Sequence, residues 1–319
     1  NLLILNSLKN IKKKIISVQA DSLKKINIQT DTTILLCLEA QKRGFQIFWY
    51  ETKDLSIKKG IVYAKGYLIK LLDNKKKFFS IINQSEIDLK RSKYLLIRQN
   101  PPFNMDYINS TLYLEKILKF VKIINDPVSI RNISEKFYST KFLKFMPPTI
   151  FTKDIKNILT FYKKYKKIVI KPIDGYAGKD ILFLNNKFNI KQVQRFINNK
   201  GHVMVQKFLP KVKMGDKRVF IINGKVCGAI RRVPKKNSIL SNISQGGRAI
   251  KTNLNNKELK ISKVVAKDLL KKNIYFAGID FVSGKLIGDI NITSPTGLPQ
   301  YKKLTGINLA EQFWNNLLN

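Results

Sequence analysis

The sequence predicts an α/β chain in which a small doubly wound domain is followed by two α+β lobes. Three observations predict it. A βαβ pattern occupies residues 15–50, a strand, glycine-bearing loop and strand occupy 168–184, and an alternating hairpin carrying two acids occupies 276–292. At 319 residues the chain can bury a sizeable core in two or three subdomains.

The first domain is expected over 1–126. An apolar strand near Ile15 to Val18 leads through a loop at Asp21 and Ser22 into a helix that begins near Thr30 and Asp31. That helix carries Ile34, Leu35, Leu38 and Ala40, and Gly44 supplies its C′ stop. Phe45 to Tyr50 is the next strand. Another, Tyr94 to Ile97, runs into Arg98-Gln99-Asn100-Pro101-Pro102-Phe103, where two prolines force a loop. Ligands bind at such carboxyl ends in open α/β sheets, so this loop is available for substrate.

The second lobe is expected over 127–203. After Pro127 come a helix containing Lys136, the Pro147-Pro148 break, and a helix near 154–165. The β-branched strand Ile168 to Ile170 ends at Lys171-Pro172. The loop Asp174-Gly175-Tyr176-Ala177-Gly178-Lys179 then separates it from Ile181 to Leu184. This is a flap rather than a P-loop, because no GxxxxGK[ST] leads into a helix. Lys171, ending an apolar strand just before a glycine-bearing loop, can reach a phosphate.

The third lobe is expected over 204–319. A strand at Val203 to Phe208 leads into a region where arginine concentrates. Of nine arginines, four (Arg218, Arg231, Arg232 and Arg248) fall within 31 residues, while lysine serves as the cation elsewhere. Arginine in that setting points to its planar fork on a phosphate or carboxylate. Phe276 to Val282 and Lys285 to Ile292 then alternate as two strands around Ser283-Gly284. A regular register sets Asp280 opposite Ile287 and projects Asp280, Asp289 and Asn291 from one face. Such oxygen ligands suit Mg²⁺ held jointly with a nucleotide's phosphates.

Composition excludes more than it identifies. A net charge of +39 would ordinarily suggest nucleic acid, but the lysines are spread along the chain amid many Asn and Ile, so no nucleic-acid partner is expected. No apolar run approaches the roughly 18 residues that cross a bilayer, and no membrane partner is expected. The apolar Leu2 to Leu5 precedes the basic Lys12 to Lys14, the reverse of a signal peptide's order. Two cysteines and one histidine build neither a disulfide framework nor a zinc site, and a cytoplasmic location fits.

Taken together and in order, several stretches resemble the prokaryotic glutathione synthetases of the ATP-grasp superfamily. They are Leu38 to Gly44, Arg98 to Phe103, Asn132 to Lys136, Ile170 to Gly175, Gly215 to Val219, Gly246-Gly247-Arg248 and Asp289 to Thr296. The resemblance implies an ATP-grasp fold behind a doubly wound domain, and ATP-dependent ligation of γ-glutamylcysteine with glycine through an acyl phosphate. It implies that Lys136 and Lys171 contact ATP phosphates, with Gly175 and Gly178 in the flap above them. Gln206, Lys207, Phe208 and Leu209 line the adenine pocket, and Asp216 meets the ribose. Arg218 stabilises the transferred phosphoryl group, and Arg232 binds the acyl phosphate or a substrate carboxylate. Asp280, Asp289 and Asn291 hold Mg²⁺ or Mn²⁺, with Asn291 also on the substrate side. Asp21, Ser22, Arg98, Gly246, Gly247 and Arg248 fall on the substrate side as well. A homotetramer is implied too.

The chain departs from the family pattern in three places. Asp289 stands where the family usually has Glu, the flap lacks a glycine, and the lid between Pro234 and Gly246 has Leu240 where an arginine is usual. Since that lid shields the acyl phosphate, leakage to water is an expected consequence. A related ligase acting on another peptide carboxylate, and a decayed synthetase, are the alternative readings.

Overall fold

The computed structural model describes residues 14–72, 77–176, 178, 180–185, 187–235 and 246–318. The lid position Leu240, the flap residue Ala177 and the opening Leu2 to Leu5 lie outside the described residues.

The first sheet contains β1 (Ile15–Gln19), β2 (Gln46–Tyr50), β3 (Leu55–Lys58), β4 (Ile61–Leu71), β5 (Phe79–Asp88), β6 (Tyr94–Ile97) and β7 (Lys122–Ile124). Strands β2, β1, β6 and β7 run parallel in that order, as a doubly wound domain requires. Helix α1 (Thr32–Lys42) starts where Asp31 accepts the Ile34 N–H at 2.9 Å, and it stops at Gly44, whose φ is +81°. The antiparallel β3, β4 and β5 extend the sheet beyond β2, an addition the βαβ pattern did not announce. Helices α2 (Met105–Glu115) and α3 (Pro127–Asn132) complete this part.

The second sheet holds β8 (Thr149–Thr152), β9 (Ile168–Pro172), β10 (Leu182–Leu184) and β11 (Val203–Lys207), in the order β10-β9-β11-β8. Helices α4 (Ile155–Tyr165) and α5 (Ile190–Lys200) cover one face, burying Ile158, Val193 and Ile197 against Ile168, Ile170 and Val205. Strand β11 lies between β9 and β8, so it belongs to this sheet although the sequence drew its boundary at residue 203.

The third sheet holds β12 (Asp216–Ile222), β13 (Lys225–Val233), β14 (Arg248–Lys251), β15 (Phe276–Val282) and β16 (Lys285–Asn291), in the order β14-β13-β12-β15-β16. One face packs against α6 (Asn256–Leu270) through Ile261, Val265 and Leu269. The other packs through α7 (Leu298–Thr305) and α8 (Leu309–Leu318) onto the first domain, and Trp314 Nε1 donates to Leu36 O at 2.8 Å. The carboxyl-terminal helices thus bond the third sheet to the domain that begins the chain.

Two expectations change. Helix α3 ends at Asn132, and Lys136 instead precedes a 3₁₀ segment, Phe137–Phe145, rather than lying within a helix. The β15–β16 hairpin follows the expected register at Val282↔Lys285 and Phe281↔Leu286, then slips by two to give Ile279↔Ile290 and Gly278↔Asn291. Asp280 therefore faces a bulge formed by Ile287, Gly288 and Asp289. Gly288 permits it with φ of +83°, in a space where a Cβ would meet Met146 Cε at 2.8 Å.

Candidate active site

Between the second and third sheets lies an open cleft that encloses about 1000 Å³ when the solvent in its mouth is included. Its two ends differ in chemistry. At one end Val169, Ile181, Phe208, Leu209 and Val212 make an apolar slot, with Val282 and Ile287 contributed by the hairpin. Phe208 is fixed there by Phe183, 4.5 Å away between ring centroids. Gln206, which also lines the cleft, is held by its Nε2 donating to Thr149 Oγ1 at 2.9 Å.

At the other end, Lys136 and Lys171 converge from two elements on one carboxylate. Lys171 Nζ stands 3.3 Å from Asp289 Oδ2, and Lys136 Nζ 3.7 Å from Asp289 Oδ1. Both lysines are buried, and Lys136 also donates to the Gly175 carbonyl at the base of the flap. Gly178, with φ of +72°, lines the same cleft.

The wall beyond is an alternating row of ions. Asp216 accepts from Arg232 Nε at 2.8 Å and Nη2 at 2.6 Å. Arg232 Nη2 also stands 2.9 Å from Asp280 Oδ2, and Asp280 accepts in turn from Arg218 Nε at 2.5 Å and Nη2 at 2.8 Å. All four residues are buried. Pairing explains how they can be: burial by itself would raise the Asp280 carboxyl, but Arg218 and Arg232 hold it at about 2. Burial pulls the Arg232 guanidinium down, and Asp280 and Asp216 more than reverse it, leaving it above its ordinary value.

Asp280, Asp289 and Asn291 come together as expected on the cleft side of the hairpin. Among the described residues no three His, Cys, Asp or Glu side chains form a metal cage. A hard divalent cation nevertheless fits two carboxylates and an amide when phosphate oxygens complete its shell, which is how Mg²⁺ is usually held. Four cationic lining residues (Lys136, Lys171, Lys207, Arg218) face four acidic ones (Glu135, Asp216, Asp280, Asp289), so the cleft is balanced in a chain of net charge +39.

Other expected residues lie elsewhere. Asp216 lines the cleft and accepts from Arg232 on both of its oxygens, so it holds that arginine whatever else it meets. Arg232 itself sits behind the cleft wall. Arg98 is buried beneath the Pro295 turn, donating to Thr33 Oγ1 at 3.0 Å and to Pro295 O at 2.9 Å. Asp21 accepts from Asn100 Nδ2 at 2.7 Å, and Ser22 precedes a 3₁₀ turn; neither lines the cleft. Gly246 and Gly247 lead into β14, where Arg248 is exposed opposite Val233.

Two residues with defined roles were not singled out from sequence. Glu135 Oε1 accepts from Ile292 N at 2.7 Å, Thr293 N at 3.0 Å and Thr293 Oγ1 at 2.9 Å, which fixes the segment carrying Lys136 to the end of the hairpin. Its place beside Lys136 was the available signal. Asn125, with no such neighbour, bonds four backbone groups of Tyr275, Phe276 and Ile292. A side pocket of about 350 Å³ opens from the cleft past Glu135, Gly175 and Tyr176, lined also by Pro101, Phe103 and Asp174.

Comparison with known proteins agrees with this geometry. A family model described as the prokaryotic glutathione synthetase N-terminal domain matches residues 15–131, and one described as the prokaryotic glutathione synthetase ATP-grasp domain matches 135–306. The glutathione synthetase of Mesorhizobium japonicum is 36% identical over 303 residues, covering 94% of this chain and 96% of that protein. That of Agrobacterium fabrum is 35% identical over 305 residues, covering 95% of each. Among solved structures, the D-cycloserine synthetase DcsG superposes with a TM-score of 0.67 at 13% identity over 95% of this chain and 98% of its own, a likeness of fold.

Proposed function

The chain belongs to the prokaryotic glutathione synthetase family, and we infer that the cleft between its second and third sheets is where it works. It is an ATP-dependent carboxylate–amine ligase that joins γ-glutamylcysteine to glycine through an acyl phosphate, releasing glutathione, ADP and phosphate. The observation that carries the assignment of the cleft is the convergence of Lys136, Lys171 and Asp289 in a cleft that is also lined by the apolar Val169, Ile181, Phe208, Leu209 and Val212.

In this reading the slot around Phe208 and Leu209 takes the adenine, and Lys136 and Lys171 take the phosphates. Asp280, Asp289 and Asn291 hold a divalent cation, which supplies neutralisation of phosphate charge when bound. We assign Mg²⁺ to this place, with Mn²⁺ as a substitute, because both accept carboxylate and amide oxygens. Arg218 faces the phosphoryl group in transfer, and Arg232 keeps Asp280 and Asp216 in place. The side pocket takes the dipeptide, since the Pro101 to Phe103 loop that sequence marked for substrate forms its wall. The chemistry asks for positioning and charge stabilisation rather than a covalent nucleophile.

A homotetramer is the proposed assembly. Strand β5 supports it, being an edge strand with Ile81 and Ile82 more than half exposed. Two free thiols, Cys37 and Cys227, fit a reducing cytoplasm, and no described helix is long and apolar enough to cross a membrane.

The test is ADP release with ATP, Mg²⁺ and γ-glutamylcysteine, with and without glycine, alongside glutathione by mass spectrometry. Glycine-dependent ADP matched one-to-one by glutathione supports the reading. ADP released equally without glycine means that the acyl phosphate leaks past the altered lid, and no ADP in either case overturns the assignment of substrates.

A further inference from the structure

Holding a cation at Asp280 conflicts with the hydrogen bonds that Asp280 already makes. Its Oδ1 accepts from Arg218 Nε, and its Oδ2 lies within 2.9 Å of both Arg218 Nη2 and Arg232 Nη2. Two guanidinium groups and a divalent cation cannot share one buried carboxylate, because their mutual repulsion is poorly screened there. One arginine must withdraw.

The two differ in how they are held. Arg232 is bidentate on Asp216, its cross-strand neighbour between β12 and β13, and stays anchored without Asp280. The Arg218 side chain hydrogen-bonds only Asp280 among the described residues, and it lines the cleft where Arg232 does not. Its side chain lies directly over Gly278, where an added Cβ would stand 2.8 Å from Arg218 Cδ, so a bare glycine is what lets it reach Asp280 from the cleft side.

Building on the ligase reading of the cleft, we propose that Arg218 is an exchangeable counter-ion of Asp280. It neutralises the carboxylate until a divalent cation takes its place, then turns to the terminal phosphate of the nucleotide, while Asp216 retains Arg232. Arg218 therefore opposes the metal when nucleotide is absent and supports it when nucleotide is present. A residue that served only to stabilise the fold would not act with opposite signs in the two conditions, and one that acted on the metal by its charge alone would show no change in the lysine variant.

The experiment measures Mn²⁺ binding to the full chain by electron paramagnetic resonance, alone and with the non-hydrolysable nucleotide AMP-PNP, for wild type, Arg218→Gln and Arg218→Lys. Arg218→Gln is expected to tighten Mn²⁺ alone at least threefold and to weaken Mn²⁺ with AMP-PNP about tenfold. Arg218→Lys keeps the charge without the bidentate fork, and is expected to change both in the same directions by less; it carries the test if the glutamine variant does not fold. Unchanged or weaker binding of Mn²⁺ alone by both variants overturns the exchange while leaving the cleft assignment intact. A wild type that takes up no Mn²⁺ even with AMP-PNP overturns the cleft assignment and the exchange with it.

Discussion

Asn125, at the end of the first domain's last parallel strand, clasps the backbone of Phe276 in both directions, donating to its carbonyl at 2.7 Å and accepting from its N–H at 2.8 Å. The same amide bonds Tyr275 N and Ile292 O, so one side chain fixes both strands of the β15–β16 hairpin at the end beside Asn291. Asn125→Ala strands four buried backbone groups. Leaving such groups unpaired costs about 1–3 kcal/mol each, with partial relaxation expected. A loss of about 3–5 kcal/mol is therefore predicted, and urea denaturation checks it.

Lys136 and Lys171 meet different oxygens of Asp289, and the proposed task of the pair is to hold the phosphates. Lys171→Met removes charge while keeping much of the length. Calorimetry should show AMP-PNP affinity lower by about tenfold or more, equivalent to about 1.4 kcal/mol, with the thermal midpoint little changed. Equal affinity would remove Lys171 from the phosphate site.

Gly288 makes the hairpin bulge possible. At φ of +83°, with Met146, Met204 and Ser139 around the missing Cβ, Gly288→Ala is strained on both counts. A cost of about 2 kcal/mol is expected from the backbone and the overpacking together. Because Asp289 follows directly, kcat should fall in steady-state assays even at temperatures where the variant is fully folded.

Asp268 ties α6 to the 3₁₀ segment that follows Lys136, accepting from Tyr138 Oη and from Lys141 Nζ at 3.0 Å. Partial burial would raise this carboxyl, but Tyr138 and Lys141 hold it below its ordinary value. A depressed carboxylate stabilises the fold above the unfolded pKa, near 4, and loses that contribution as pH falls toward the folded value. Wild type should thus exceed Asp268→Asn by up to about 1 kcal/mol at pH 7, discounted for solvent exposure. The gap should close as pH falls below about 4, as denaturation at several pH values will read.

Several residues that line the polar part of the cleft were legible in sequence because their neighbours are peculiar. Lys171 ends a β-branched strand before a glycine-bearing loop, and Asp280, Asp289 and Asn291 alternate on a hairpin. Register could not be read the same way. A bulge depends on what packs beneath Gly288, and those contacts come from Met146 and Met204, far away in the chain. Arg98 misled for a related reason: an arginine at a strand's carboxyl end looks available until the Pro295 turn, 197 residues later, closes over it.

By itself, then, the sequence determined the doubly wound opening, the flap, the hairpin and the family, since these follow from local periodicity, turn residues and ordered motifs. Only the tertiary structure decided that Asp216 serves Arg232, that Asp280 stands between two arginines, and that Asn125 and Glu135 brace the hairpin. Those partnerships are set by which side chains meet when three sheets pack. Burial makes each charge or amide require a partner, and the partner comes from wherever in the chain the fold supplies it.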